Sequence, residues 1–361
     1  MAIHLPNPTD KLRIFKGPPD SPFLAPRGVF LVGSKLLVSD TGHNRVFIWN
    51  NVPKEEYEKP DVVLGQSEIE STGRNRGGEV NTSTLQYPSG LWSDGEKVMV
   101  ADAWNHRVLI WHTFPVISGQ PAEVVIGQTD FSVNQPNELG VGATPSERSL
   151  YWPYGLSSDG KHLWIADTGN RRVLFYDKIP TTNHSAADRL IGKSSFSERD
   201  YDHQHAIWPY SVKLGPKGEL AITDTQYYRV LLWDHWRDAF KQSAKEIIGQ
   251  SDFQANGQNQ FQYTPQANTL NWCYDSCFDQ KGFWVVDTGN SRVLKFDQFP
   301  KKSNHPADAV IGPADFTTGS ENLETIHGTG NALYWPFSLA IQDEVMVIAD
   351  TGNHRLIFID Q

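Results

Sequence analysis

Short apolar runs alternate with polar turns along the whole chain, and the pattern returns at a nearly constant interval. The stretch "IADTGNRRVLFYD" at residues 165–177 contains an apolar run, a turn with Gly and Asn, and a second apolar run. This pattern is typical of two strands joined by a tight hairpin, in which we expect Gly and Asn to supply the positive φ. Close copies begin at residues 38, 100, 222, 285 and 348. Repeats of about 60 residues therefore fill the chain.

Each repeat contains enough apolar runs for four strands. Before the hairpin, "PYGLSSDG" supplies a first strand and its turn, and after it "DRLIG" supplies a fourth strand. The predicted fold class is therefore all-β, with four antiparallel strands per repeat. The last repeat stops after its third strand, whereas residues 11–17 form an unattached apolar run. We predict that the strand 11–17 completes the sheet formed by residues 334–360, which removes an exposed sheet edge.

The repeated residues resemble those of a known family. The "DTGNHR" block at residues 350–355, the Pro-x-Gly before the first strand and the period resemble NHL repeats, and segments such as "VVIGQTDF" resemble a bacterial type of NHL repeat. The resemblance covers residues 11–360 and implies a six-bladed β-propeller of four-stranded antiparallel blades, as a single domain over residues 1–361. It says little about function, because related propellers include lyases, lactonases, RNA-binding modules and ligand sensors.

Composition narrows the classes of partner. The formal net charge of −10 disfavours a nucleic acid, whose phosphates are bound by clustered Lys and Arg. No apolar run approaches the roughly 18 residues of a membrane span, and no secretory signal is visible at the N-terminus. We therefore expect a cytoplasmic protein without a nucleic-acid or membrane partner. Cys273 and Cys277 would lie roughly 13 Å apart along a strand, too far to form a disulfide bond.

An acidic and a basic residue recur five positions apart in every repeat. Because an enzyme needs one site whereas the fold needs every repeat, we predict that these pairs are structural and fix the hairpin turns through charge-assisted hydrogen bonds. The pairs are Asp40/Arg45, Asp102/Arg107, Asp167/Arg172, Asp224/Arg229, Asp287/Arg292 and Asp350/Arg355.

Positions that differ between repeats are better candidates for a site. The slot after the proline that opens most first strands is occupied by Arg27, Ser89, Tyr154, Tyr210, Tyr274 and Phe337. The family resemblance implies that this slot surrounds one end of the propeller channel. In amidating lyases of the family, the similar slot holds zinc-binding histidines. No slot here is histidine, and Asp275 is the only carboxylate at the position that follows. We therefore predict neither a metal nor a cofactor.

Aromatic residues also gather at the slot before that proline. Its occupants are Ala25, Tyr87, Trp152, Trp208, Trp272 and Trp335. On the same side, the hairpin turns add His43, Trp104, His106, Tyr227, Tyr228 and His354. Aromatic walls would suit a flat, apolar or cationic small molecule. Packing between blades is the alternative role for the tryptophans, and solvated turn positions are the alternative for the hairpin residues.

These residues predict a small-molecule site at the aromatic mouth, and they leave open whether the ligand is turned over. An enzyme here would use acid–base chemistry of a lyase, isomerase or cyclase. Asp275 would be the base, Tyr154, Tyr210 or Tyr274 the proton donor, and Arg27 the group that holds an anionic or carbonyl oxygen. The alternative is a protein-interaction scaffold that grips a partner with the aromatic rim and long loops.

Other segments are weaker candidates. The links of about 20 residues at 66–86, 128–150, 250–270 and 313–333 could form a lid over the same face. His203 and His205 would lie on one side of an extended loop as half of a metal site. Residues 234–246 have helical character and would decorate the surface or, alternatively, form an interface helix.

Overall fold

The computed structural model describes residues 3–5, 10–319 and 332–360. Its described residues form six four-stranded antiparallel sheets, and in five of them the strands follow one another in chain order. This confirms the predicted all-β class and the six-bladed β-propeller. The chain divides into two compact units, called here the 15–200 unit and the 201–360 unit, and the second also includes the residues before position 15.

The 15–200 unit contains three sheets. The first consists of β2 (Gly28–Val32), β3 (Lys35–Asp40), β4 (Arg45–Trp49) and β5 (Val62–Leu64). The second consists of β6 (Pro88–Ser93), β7 (Val98–Asp102), β8 (Arg107–Trp111) and β9 (Val124–Ile126). The third consists of β10 (Pro153–Ser158), β11 (Leu163–Asp167), β12 (Arg172–Tyr176) and β13 (Arg189–Ile191).

The 201–360 unit contains the other three sheets. They are β14 (Pro209–Leu214), β15 (Leu220–Asp224), β16 (Arg229–Trp233) and β17 (Glu246–Ile248), then β18 (Asp275–Phe278), β19 (Phe283–Asp287), β20 (Arg292–Phe296) and β21 (Ala309–Ile311). The last sheet contains β22 (Pro336–Gln342), β23 (Val345–Asp350), β24 (Arg355–Asp360) and the N-terminal strand β1 (Lys11–Phe15).

The N-terminal strand closes the last sheet, as the sequence predicts. β1 forms the outer edge next to β24. The residues before it are used as well, because His4 and Gly312 exchange two backbone hydrogen bonds of 3.0 and 3.2 Å beyond β21. Ile3 is buried in the apolar core that includes Trp284 and Leu339. The N-terminal segment therefore protects two sheet edges of the 201–360 unit.

The second and third strands of each sheet are joined by a short 3-10 turn and one left-handed residue. The expectation that Gly and Asn supply the positive φ is wrong in most repeats. In "DTGNRR" the left-handed residue is Arg171, at φ 57°, and its backbone N–H returns to the carbonyl of Thr168. Gly169 is needed for space instead, because a Cβ there would lie 2.5 Å from the ring of Tyr151. The turns span Thr41–His43, Ala103–Asn105, Thr168–Asn170, Thr225–Tyr227, Thr288–Asn290 and Thr351–Asn353.

A buried ion pair fixes each hairpin, in the structural role that the sequence predicts. In the third sheet, Oδ2 of Asp167 accepts from Nε of Arg172 at 2.8 Å and from Nδ2 of Asn170 at 2.8 Å. Its Oδ1 accepts from the backbone N–H of Tyr151 at 2.7 Å. Arg172 also donates to the carbonyl of Ser146 at 2.7 Å. The other five Asp-to-Arg bonds repeat this arrangement.

The apolar cores lie between consecutive sheets within each unit. In the 15–200 unit, strand residues such as Leu37 and Val100 share one core, and Ile110 and Ile165 share the next. Alternation along each strand sends neighbouring side chains to opposite faces, so one sheet contributes to two cores. No helix in the described part of the chain has the length and apolar character that a membrane span requires.

Candidate functional site

Aromatic residues precede the inner strands in a strained backbone conformation. Four of them adopt positive φ: Tyr87 (56°), Trp152 (52°), Trp272 (46°) and Trp335 (46°). Bulky residues rarely occupy the left-handed region, and such strain is often found at functional sites. The preceding repeat holds three of these residues in place. The backbone N–H groups of Tyr87, Trp152 and Trp335 donate to the side chains of Asn44, His106 and Ser291 at 3.1, 3.1 and 3.3 Å.

In the 15–200 unit, predicted site residues form a layered stack. The ring of Tyr87 lies parallel to that of Trp104, with centroids 4.4 Å apart and an angle of 7°. The guanidinium of Arg27 lies 5.0 Å from the centroid of Tyr87. Tyr154 closes the group, because its hydroxyl accepts from Nε1 of Trp104 at 3.4 Å. Trp104 is 43% exposed and offers solvent a flat surface.

Trp152 and His106 form a second group in the same unit, in which the histidine is structural. His106 is 7% exposed, and its ring lies 6.3 Å from that of Trp152 and 5.4 Å from that of Tyr151. Burial lowers the pKa of His106 to about 4, so the ring is neutral at pH 7. Its Nδ1 is already used by the backbone of Trp152, which accounts for this residue without a ligand.

In the 201–360 unit, three predicted site residues come together in an aromatic cluster formed by Tyr210, Tyr274 and Phe337. The ring centroid of Tyr274 lies 4.5 Å from that of Tyr210 and 4.2 Å from that of Phe337. Tyr210 and Phe337 are buried, at 7% and 6% exposure, and Tyr274 is half-buried. These residues stand at or just before the start of β14, β18 and β22. The three inner strands of this unit therefore begin on one shared aromatic surface.

Two predicted tryptophans of this unit are largely exposed, and the third is half-buried. Trp272 is 42% exposed and contacts Tyr228 edge-on at 5.3 Å, and Trp335 is 45% exposed with its ring 5.1 Å from Tyr334. Trp208 is half-buried. The structure therefore does not use Trp272 and Trp335 as fully buried packing residues.

Asp275 is the centre of a charged group next to the aromatic cluster. The ammonium of Lys213 lies 3.2 Å from Oδ1 of Asp275. The hydroxyl of Ser338 donates to Oδ2 at 2.8 Å, and the backbone N–H of Leu339 points to the same oxygen at 3.4 Å. The backbone N–H of Ser276 donates to Oδ1 at 2.9 Å. Strands β14, β18 and β22 thus meet at one carboxylate, which is 5% exposed.

The protonation states of this group follow from burial and from the ion pair. Burial is the largest single influence on the pKa of Lys213 and lowers it, but the charge of Asp275, that of Cys277 and the hydrogen bond to Asp275 act together in the opposite direction, and the pKa is raised. Burial raises the pKa of the Cys277 thiol to about 12, against a smaller opposing effect of Lys213. At neutral pH the group therefore contains a charged ammonium next to Asp275 and a neutral thiol.

The sequence prediction missed Lys213 and Ser338. A signal for the lysine was present in the sequence, three residues after the slot that follows the opening proline. The occupants of this position in the six repeats are Phe30, Trp92, Ser157, Lys213, Cys277 and Ala340. Lys213 is the one charged residue at that position. Ser338 stands at the position that Gly28, Gly90 and Gly155 occupy in other repeats. The structure gives its hydroxyl a partner on a neighbouring inner strand.

The remaining histidines do not form a metal centre in the part of the chain that the structure describes. Nδ1 of His43 lies 2.9 Å from Oδ2 of Asp40, so this ring supports a structural pair. His354 is exposed. His205 pairs with Asp202 at 2.7 Å, whereas the ring of His203 packs against Tyr227 at 5.4 Å. The described residues contain no group of three His, Cys, Asp or Glu side chains placed to hold a metal ion.

The long links are tied to the hairpin of the following repeat by reciprocal amide hydrogen bonds. The two distances are 3.1 and 2.8 Å for Asn75–Asn105, 3.0 and 2.8 Å for Asn137–Asn170, and 3.1 and 2.8 Å for Asn259–Asn290. Most of the fourth predicted link, 313–333, lies outside the described residues. The predicted helical character of 234–246 is limited to a 3-10 helix at Trp236–Phe240. The role of the links as a lid stays a prediction.

Comparison with known proteins agrees with the NHL resemblance. No family model matches the chain. NHL repeat-containing protein 2 from Bos taurus is 23% identical over 375 residues, and the Homo sapiens protein is 24% identical over 375 residues. Both alignments cover 95% of this chain and 47% of the relative, so the chain spans about half the length of the curated relatives it matches. Together with the six-bladed fold, these relatives confirm the similarity to NHL-repeat propellers.

Solved structures of similar fold have low sequence identity. A protein of unknown function from Bacteroides thetaiotaomicron has a TM-score of 0.51 at 11% identity, over 98% of this chain and 76% of that chain. Virginiamycin B lyase from Staphylococcus aureus has a TM-score of 0.48 at 11% identity, over 98% of this chain and 99% of that chain. At such identities the likeness concerns the fold alone.

Proposed function

We propose that the 201–360 unit binds a small organic molecule at the start of its inner strands, where the Asp275–Lys213 ion pair adjoins the aromatic cluster. That juxtaposition carries the proposal. The fold already has its repeated Asp–Arg pairs, and burying a further pair of charges carries a desolvation penalty. Lys213 and Asp275 come from neighbouring repeats, and each is the one charged residue at its position among the six repeats. A lysine with a perturbed pKa next to a specific charged partner is a feature that functional sites share.

The aromatic cluster supplies the apolar part of this site. Tyr274 is half-buried and lies between Tyr210 and Phe337. Binding sites for small molecules combine apolar and aromatic walls with a few fixed polar groups. Here the polar groups are fixed by contacts across three strands, so they are preorganised for a ligand.

Catalysis by acid–base chemistry is part of the proposal, but the role given to Asp275 differs from the one predicted from the sequence. Asp275 was predicted to be the base, but each of its oxygens already accepts two contacts. That arrangement favours a positioning role for Asp275, whereas Lys213 has donors to spare. A lyase, isomerase or cyclase would then draw its proton donor from Tyr210 or Tyr274.

The 15–200 unit offers a separate aromatic surface. Its stack of Arg27, Tyr87 and Trp104, together with Tyr154, would accept a planar ligand on the exposed face of Trp104. We include these residues, and the nearby Trp152, as proposed ligand contacts of that unit. The cytoplasmic location and the absence of nucleic-acid and membrane partners stay predictions from composition.

A ligand screen tests the proposal. Thermal shift and tryptophan fluorescence would be recorded against aromatic, cationic and carbonyl metabolites, with and without a chelator. We expect saturable hits that persist with the chelator and weaken at least tenfold in Tyr274→Leu. Tyr263→Leu, at a fully exposed position, serves as the matched control. Hits that respond equally to both substitutions, or no hits at all, would refute the site.

A protein-interaction scaffold is the second candidate. Its support is the exposure of large apolar side chains in the 201–360 unit, including Trp272 at 42%, Trp335 at 45% and Phe261 at 83%. Where exposed apolar side chains gather in one patch, they often mark interfaces. Cross-linking that is lost in a Trp272→Ser/Trp335→Ser variant, with small-molecule binding intact, would favour the scaffold.

A further inference from the structure

The Asp275–Lys213 group presents hydrogen-bond donors to a ligand but no acceptors. Lys213 has three ammonium protons, and within the described residues its one ion-pair partner is Asp275. The lysine side chain is 25% exposed, whereas that of Asp275 is 7% exposed. The two carboxylate oxygens already accept from Lys213, Ser276, Ser338 and the N–H of Leu339. A ligand atom that reaches this group must therefore be an acceptor.

The surrounding charges agree with that selectivity. Asp275 holds the ammonium in place and favours its charged form. Cys277, the other titratable group that acts on Lys213, is a neutral thiol because burial raises its pKa to about 12. Among the groups that the structure describes as acting on Lys213, Asp275 is the one carboxylate. No second carboxylate among them competes with a ligand anion for the spare protons of the lysine.

The aromatic cluster sets the rest of the ligand. Lys213 follows Tyr210 by three residues on β14, which corresponds to about 10 Å along an extended strand. Asp275 directly follows Tyr274, and Ser338 directly follows Phe337. The charged group and the aromatic cluster therefore occupy neighbouring positions on the same three strands.

From this arrangement we propose that the site selects an organic carboxylate: an aromatic or apolar body lies against Tyr274 and Phe337, and its carboxylate binds the ammonium of Lys213. The inference rests on the proposed small-molecule site and assigns its specificity to Lys213. A cationic ligand, one of the classes predicted from the aromatic residues, is disfavoured because Lys213 would repel it and both oxygens of Asp275 are already engaged by contacts within the protein.

Matched acids and amides test the inference. Benzoate, phenylacetate and indole-3-acetate would be titrated against benzamide, phenylacetamide and indole-3-acetamide by ligand-observed NMR. Each pair has the same body and differs in charge. We expect the acids to bind at least tenfold more tightly than the amides. In Lys213→Met the acids should lose at least tenfold in affinity while the amides change less than twofold, and Lys213→Arg should retain part of the preference.

Two further variants separate charge recognition from folding. Lys217→Met removes an exposed lysine of the same hairpin and should leave acid binding unchanged. Because Lys213→Met leaves Asp275 buried without its cation, Lys213→Met/Asp275→Asn removes both charges and should show the same loss of acid binding in a folded protein. Melting curves of all variants would be recorded alongside.

The outcomes distinguish this inference from the proposed function. Amides that bind as tightly as acids, or acids that bind Lys213→Met as tightly as the wild type, overturn the role of Lys213 and leave the aromatic site standing. The role of Lys213 is also overturned, and the aromatic site kept, if the wider screen yields neutral or cationic ligands and no acid. If no compound of either panel binds, both the inference and the small-molecule site fail.

Discussion

His106 accepts a hydrogen bond through Nδ1 from the backbone N–H of Trp152, 46 residues ahead, at 3.1 Å. Asn44 makes the same contact one repeat earlier, where its side-chain oxygen accepts from the backbone N–H of Tyr87 at 3.1 Å. The two side chains differ in one respect that matters for stability. A histidine can accept at Nδ1 only while that nitrogen is unprotonated, whereas an asparagine accepts at any pH.

The histidine link predicts a loss of stability in mild acid. The pKa of His106 is lowered to about 4 in the folded chain from 6.5. The unfolded chain therefore binds more protons between these values, and the free energy of unfolding falls as the pH drops from 6.5 to 4. At about 1.4 kcal/mol per pKa unit, we expect a loss on the order of 3 kcal/mol. Urea unfolding between pH 7.5 and 4 measures it.

The matched variant for this prediction is His106→Asn, which copies the contact of Asn44. We expect its free energy of unfolding to decline less over the same pH range, by about the amount assigned to the histidine. Equal acid sensitivity in the variant and the wild type would show that other groups control the decline.

The repeated ion pairs predict a stability effect that is separate from ligand binding. In Asp167→Asn the guanidinium of Arg172, which is buried, would lose its carboxylate. Removing one partner of a buried pair typically costs about 3–5 kcal/mol. Chemical unfolding should show this loss, while ligand binding by the folded variant stays unchanged. A loss below about 1 kcal/mol, the range of exposed pairs, would contradict the structural role.

The N-terminal segment predicts a graded response to truncation. Deleting residues 1–9 removes the His4–Gly312 contacts but keeps β1, whereas deleting residues 1–17 also exposes the edge of β24. We expect a small decrease in melting temperature for the first deletion and a much larger one, with a tendency to aggregate, for the second. Calorimetry and light scattering measure both. Equal melting temperatures for the full chain and the longer deletion would refute closure by β1.

The ion pair of Lys213 predicts how ligand binding depends on pH. Because the pKa of Lys213 is raised from its ordinary value of 10.5, the lysine stays charged throughout the range from pH 6 to 9. The affinity for a carboxylate ligand should therefore be constant in that range, and in Asp275→Asn it should be at least tenfold weaker because the ammonium loses its fixed position. Titrations at pH 6, 7.5 and 9 measure this. A steep decline between pH 7 and 8 would show that another group binds the anion.

The period of the apolar pattern was sufficient to predict the strands, their antiparallel order and the closing role of β1. Alternation and turn residues are local properties, and a recurring block such as Asp167 to Arg172 makes the same Asp–Arg contact in each copy. The local signal failed at the left-handed position of the hairpin. There the turn fixes the conformation of Arg171, and Gly169 serves only to leave room for Tyr151.

The candidate site was only partly predictable. Asp275 could be identified from the sequence because the other repeats have Gly or Ser at its position. Tyr274 could be identified because it stands next to Asp275. Their partners could not be assigned, since Lys213 and Ser338 lie 62 and 63 residues away and reach Asp275 only when β14, β18 and β22 are placed side by side. Sequence thus determined which strands form, because hydrophobic alternation acts over a few residues. Tertiary structure decided which side chains share a carboxylate, because ion pairs and hydrogen bonds depend on distances in space.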